Sequence, residues 1–161
     1  MLNNNKFILN GILAFSIVSL TIAYYIQYVL GHKPCSLCLI ERIPYISGII
    51  LVSLIFIIKK FEKIIAGIVM LFFIFGALIS FYHVGIEQGV FSESLVCELG
   101  GFKEQLSKDD LLNQLKNRSA ISCKEVTFRF LGLSLATINT IISILISGIM
   151  LLVVKNYGKN K

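Results

Sequence analysis

An all-α integral membrane fold, a bundle of four transmembrane helices, is what this sequence predicts, and three observations lead to it. Of the 161 residues, 56% are hydrophobic and only 15% charged, with a mean hydropathy of +0.83, whereas soluble domains carry about 25% charged residues. Four apolar stretches are each long enough, with their flanks, to cross a hydrocarbon core of about 30 Å, which takes about 20 helical residues. The charges are also segregated along the chain in the way that spanning segments segregate them.

The first span, 7–30, is a continuous apolar run. It is too long for the apolar part of a signal peptide and has no small-residue cleavage site before Gly31, so it reads as an anchor. The second, 39–58, has its apolar body from Ile43 onward and borrows length from the residues before it. The third covers 64–84 and the fourth 131–154. Open backbone polar groups are not tolerated in lipid, so each span is expected to be helical. Two loops, 31–38 and a long 85–130, then share one face, and the chain is expected to form a single membrane domain over 1–161. Tyr24, Tyr25, Tyr28, Tyr45, Phe81 and Tyr82 sit near that face, where amphipathic rings are favoured.

With four spans, both termini and the "KKFEK" loop lie on the opposite side. That side carries Lys6, Lys59, Lys60, Lys63, Lys155, Lys159 and Lys161 against the single acid Glu62, which accounts for the whole net charge of +6. The other side balances to neutrality. The positive-inside rule places both termini in the cytoplasm. The basic balance therefore reports topology and gives no support for nucleic-acid binding.

All four cysteines, Cys35, Cys38, Cys97 and Cys123, fall on the outer face, an oxidising compartment where disulfides persist. Four cysteines allow three pairings; proximity makes Cys35–Cys38 with Cys97–Cys123 the simplest. A bridge closing the long outer loop is worth about 2–4 kcal/mol as a staple. A bridge across "CSLC" closes so short a loop that it removes little chain entropy. That spacing suits a redox pair, in which one thiolate attacks and the other resolves. Zinc wants four thiolate or imidazole ligands, and a single CxxC supplies two, which counts against a metal. Covalent haem needs a His after the second Cys, and Leu39 is there.

Arg42 follows Cys38 by four residues and shares its face if the second span begins there. A fixed cation and a helix N-terminus both favour a thiolate, and the guanidinium can also hydrogen-bond the carbonyl of an acceptor dissolved in the bilayer. The plainer reading is an interfacial arginine snorkelling to headgroups, and Glu41 beside it is expected to neutralise it in part. Pro44 stands in the first turn of a helix starting near Arg42; in a helix starting earlier it makes a kink and frees the Ile40 carbonyl.

With "CSLCLIER" at the outer end of the second of four spans, the sequence resembles the disulfide bond formation protein B (DsbB) family. "YHVGIEQG" (82–89) and "CKEVTFRFLGLSLATIN" (123–139) are similar to the family at the ends of spans three and four, and the resemblance covers nearly the whole chain. It implies a bacterial inner-membrane thiol:quinone oxidoreductase, with periplasmic cysteines, that reoxidises a soluble DsbA-type dithiol oxidase. Cys97–Cys123 would take two electrons from that partner, with attack at Cys97, and hand them to Cys35–Cys38. Cys38, beside Arg42, would pass them to ubiquinone or menaquinone. His83, with either Glu87 or Gln88, falls where the family places quinone-side residues; alternatively His83 is an interfacial polar residue. Glutamate replaces the commoner glutamine before Arg42, a charge expected to weaken quinone binding.

In the outer loop, "SKDDLLNQLKNR" (107–118) has a capping residue, acids in its first turn and basic residues at its end, with Leu111, Leu112 and Leu115 on one face. It reads as a short amphipathic helix, lying on the membrane or packing on its own loop. Gly100–Gly101 suggests a hinge after Cys97. Beside a specialised relative of the same enzyme that serves one dedicated partner, two other functions compete: a non-catalytic membrane scaffold braced by outer disulfides, and a carrier moving reductant outwards. The second needs cysteines reachable from the cytoplasm, and all four are expected outside.

Overall fold

The computed structural model describes residues 2–58, 61–92, 97, 123–124, 129–130 and 132–159. In chain order these form α1 (Leu2–Tyr28), a short α2 (Ser36–Ile40), α3 (Ile43–Ile57), α4 (Glu62–Glu87), strands β1 (Arg129–Phe130) and β2 (Leu133–Ser134), and α5 (Leu135–Lys159). The expected helix at 107–118 and the Gly100–Gly101 hinge lie outside the described residues. Among those described, four segments are long and apolar enough to cross a membrane: Asn5–Tyr28, Ser36–Ile57, Glu62–Glu87 and Leu135–Tyr157. The chain therefore has the all-α, four-spanning architecture expected from its sequence.

The second span starts at Ser36 and is broken rather than continuous. Cys35 caps α2 from an extended conformation, its Sγ accepting the Cys38 N–H at 3.2 Å. Pro44 has no N–H to offer the Ile40 carbonyl, and its ring crowds that oxygen, so α2 stops at Ile40. The Arg42 N–H reaches back only to the Leu39 carbonyl at 3.2 Å, and the helix restarts with the Tyr45 and Ile46 N–H groups both on the Arg42 carbonyl, at 3.2 and 3.1 Å. Both expectations for Pro44 are thus met in part: it sits in the first turn of α3 and it interrupts the span. Helix α4 passes α3 closely at this break. A Cβ on Gly76 would stand 2.7 Å from Pro44 Cγ, so only glycine permits the approach.

Two boundaries move relative to the sequence reading. The third span runs on to Glu87, where Gly89, at φ +75°, ends it. The Val90 N–H meets the Gly85 carbonyl at 2.8 Å and the Gly89 N–H the Ile86 carbonyl at 3.0 Å, the paired bonds of a glycine-terminated helix. The fourth span starts at Leu135, not 131. Gly132, at φ +83°, turns the chain into a hairpin that pairs Arg129 with Ser134 and Phe130 with Leu133. Ser134 Oγ then caps α5 by accepting the Thr137 N–H at 3.2 Å. Counting apolar residues merged this hairpin with the helix.

Helix α4 packs on α5 and α3, and α1 lies along α3 but barely touches α5. Leu9, Val52, Val69, Phe73, Met150 and Val153 fill the centre with no exposed surface. Tyr45 meets the Phe73 ring edge-on at 5.6 Å between centroids. Large apolar side chains such as Ile22, Phe75, Leu78, Leu145 and Leu152 point outward, as lipid-facing residues do. Lipid is as apolar as the core, so close packing and interhelical hydrogen bonds hold the bundle. The weak α1–α5 contact leaves a gap at the CxxC end.

Candidate active site

The two cysteine pairs meet at that end. Cys35, Leu37, Ile86, Cys97 and Cys123 form one buried cluster, with Cys38, Ile40, Ile79 and Tyr82 packed against it. Cys97 and Cys123 are joined in a disulfide. Cys35 and Cys38 are thiols, unlike the simplest expected arrangement, in which both pairs are closed. Cys35 Sγ is engaged instead by the Cys38 N–H and by His83 Nε2, which lies 3.6 Å away.

His83 is buried and held from its other side. Its Nδ1–H donates to Glu41 Oε1 at 2.7 Å, which leaves Nε2 to face the sulfur. The second Glu41 oxygen accepts from Asn139 Nδ2 at 3.1 Å, and that amide also reaches Ser80 Oγ at 2.6 Å. The Tyr45 hydroxyl donates to Asn139 Oδ1 at 2.5 Å. A chain of polar side chains from the α2–α3 break, α3, α4 and α5 therefore ends on Cys35. Inside a membrane such groups are expensive and need partners; here each supplies the next.

Arg42 turns the other way, towards α1. Its Nη1 donates to Gln27 Oε1 at 2.7 Å, and its guanidinium stacks 5.0 Å above the Tyr24 ring centroid. The expected neutralisation by Glu41 does not occur among these contacts: the helix break separates the two side chains, and Glu41 is committed to His83 and Asn139. Between α1, α3 and α5 lies a cavity of about 520 Å³. Cys38, Glu41, Arg42, Tyr45 and Asn139 form its polar end, and apolar residues such as Phe15, Val18 and Ile138 line the rest. Its size and mixed lining are those of a small-molecule site, and the residues fit a quinone ring with an apolar tail.

The structure places apart residues that the sequence groups together. Cys38 and Arg42 line the cavity, whereas Cys35 and His83 do not. Glu87 stands beside His83, with Oε1 3.9 Å from Nε2. Gln88 is exposed in the cap of α4. Sequence reading missed Gln27, Tyr45, Ser80 and Asn139 as partners. The available signal was a polar residue inside or at the end of an apolar span, which by default needs a partner.

Cys35 is held as a thiolate well below an ordinary thiol, at about 5. The neighbouring Cys38 thiol contributes most, burial opposes it, and His83 adds a hydrogen bond and charge. The thiolate predominates above that pH. In the reduced chain, alkylation of Cys35 by iodoacetamide is therefore expected to reach its plateau by about pH 6 to 7, where a free thiol with a pKa of about 8.5 is still mostly protonated. Mass spectrometry of quenched time points checks this, and a rate still rising steeply between pH 7 and 9 would contradict it.

A family model described as "Disulfide bond formation protein DsbB" matches residues 5–153. An uncharacterized protein of Rickettsia prowazekii (strain Madrid E), RP370, is 26% identical over 134 residues, covering 83% of this chain and 78% of that protein. No solved structure matches the chain.

Proposed function

This chain belongs to the disulfide bond formation protein B family, disulfide-generating membrane oxidoreductases linked to quinones, and we propose that it reoxidises a soluble DsbA-type dithiol oxidase and passes the electrons to the membrane quinone pool. The observation that carries this reading is the packing of both cysteine pairs into one cluster beside a largely apolar cavity. In the proposed relay the partner's dithiol attacks the Cys97–Cys123 disulfide, leaving partner disulfide and two thiols here. Those thiols exchange with a Cys35–Cys38 disulfide, returning the outer pair to the oxidised state and leaving the CxxC reduced, as it stands in this structure. Two electrons and two protons must then leave.

Cys35, packed with the outer disulfide, receives the exchange; Cys38, on the cavity wall, faces the acceptor. His83 holds a proton at Nε2 beside Cys35, and Glu41 keeps the ring turned towards the sulfur. Arg42, braced by Gln27 and Tyr24, offers fixed positive charge in the cavity. A bound quinone supplies the two-electron, two-proton acceptor that the side chains lack. By the lysine distribution, both termini lie in the cytoplasm and the cysteines in the periplasm of a bacterial inner membrane.

The test mixes purified protein with a reduced DsbA-type partner and a soluble quinone, and follows quinone absorbance. Arg42→Ala is expected to raise the half-saturating quinone concentration about tenfold or more, the scale of one lost charge-assisted hydrogen bond, with a smaller effect on the limiting rate. No quinone reduction with any partner, while the outer disulfide stays intact, would favour a braced scaffold instead.

A further inference from the structure

We propose that the reduced chain also binds one thiophilic divalent cation of the zinc class, through Cys35 Sγ, Cys38 Sγ and His83 Nε2. These three donor atoms all lie within 4.8 Å of one another. Two ligands on a tetrahedral zinc, with bonds of about 2.0 and 2.3 Å, stand about 3.5 Å apart, and Cys35 Sγ and His83 Nε2 are separated by 3.6 Å. The imidazole is presented correctly for this task. Its Nδ1–H is spent on Glu41 at 2.7 Å, so Nε2 is the nitrogen left to bind a metal once its own proton leaves, and a carboxylate behind a histidine is the usual support of a metal ligand. Asn139 fixes that carboxylate in turn. Glu87 Oε1, 3.9 Å from the same nitrogen, is the nearest candidate for the fourth position.

The CxxC by itself supplies only two of the ligands zinc needs. The third ligand lies 48 residues further on, in another helix, where no local spacing reveals it. Binding replaces protons: two metal–sulfur bonds and one metal–nitrogen bond form, any remaining S–H bonds and the Nε2–H bond of His83 break, the protons pass to solvent, and no electrons move. A disulfide has no thiolate to offer, so the site exists only in the reduced chain. The bound cation then holds the CxxC reduced and withholds both sulfurs from electron transfer.

The experiment uses the full-length chain carrying Cys97→Ser and Cys123→Ser, so that the outer thiols add nothing. It is reduced, freed of reductant without oxygen, and titrated with Co²⁺ alone. One cobalt per chain is expected, with near-ultraviolet thiolate-to-cobalt absorption and the visible bands of a tetrahedral ion, lost on addition of Zn²⁺. The oxidised chain stays silent. Glu41→Gln is expected to weaken binding about 10–100-fold, the usual effect of losing a supporting carboxylate. His83→Ala abolishes the tetrahedral bands, and His83→Gln, closer in size, does the same if the alanine variant fails to fold. No thiolate-to-cobalt absorption in the reduced chain, or absorption unchanged by both His83 variants, would overturn the proposal. The readout is binding rather than turnover, so its failure is distinguishable from failure of the thiol-oxidase reading.

Discussion

Cys38→Ser is expected to lower quinone reduction at least about 10³-fold, the scale of removing a reacting nucleophile, while one equivalent of partner is still oxidised per chain. The geometry separates these two outcomes. Cys38 is the cysteine on the cavity wall, and serine there can neither close a disulfide with Cys35 nor hand on electrons. The Cys97–Cys123 disulfide is untouched by the substitution and still accepts one dithiol. Rapid mixing with reduced partner, acid quenching and thiol counting should therefore show a single turnover and then arrest. Quinone absorbance, followed in parallel, should stay flat. Steady turnover within tenfold of the parent would remove Cys38 from the electron path, and with it the division of labour between the two sulfurs. Arrest without the single turnover would place the first exchange somewhere other than the outer disulfide.

The parts of this molecule that were legible in its sequence are those set by local composition. Apolar runs located all four spans, because length and hydropathy decide whether a helix crosses a bilayer. The CxxC and Arg42 were visible because their spacing is short. Their surroundings were not. Arg42 and Cys38 line one cavity, but the guanidinium's hydrogen-bond partner is Gln27, 15 residues earlier. Sequence proximity predicts that Glu41 neutralises its neighbour Arg42 in part, yet its bonds go to His83 and Asn139, 42 and 98 residues away. A side chain's choice among such partners is made by helix packing, which no pattern of one span records. The starts of the second and fourth spans were missed for another reason. A cysteine cap and Gly132, at positive φ, are punctuation, and apolar counting reads through them.

Glu41, through its bonds to His83 and Asn139, carries the second large effect. Glu41→Gln keeps shape and most packing but replaces an acceptor-only carboxylate with an amide that also donates. The His83 ring is then no longer obliged to keep Nδ1–H towards residue 41 and Nε2–H towards Cys35. In other enzymes an amide behind a catalytic histidine costs about 10⁴-fold through the wrong tautomer, and positioned proton transfer is worth about 10²–10⁴-fold. A fall of that order in the limiting rate is expected here, in contrast to Arg42→Ala, whose main effect is on the quinone concentration required. Cys35 supplies an independent readout. Its thiolate, held at about 5 first by Cys38 and then, against burial, by His83, loses the well-oriented ring, so the alkylation midpoint should move upward and the thiolate fraction at pH 6 should fall. Glu41→Asp, which retains the charge on a shorter arm, should recover part of both. A variant with parental rate and an unmoved alkylation profile would reduce Glu41 to a packing residue. A lower rate with an unmoved profile would locate its action on the cavity side, through Asn139 and Tyr45, rather than through His83.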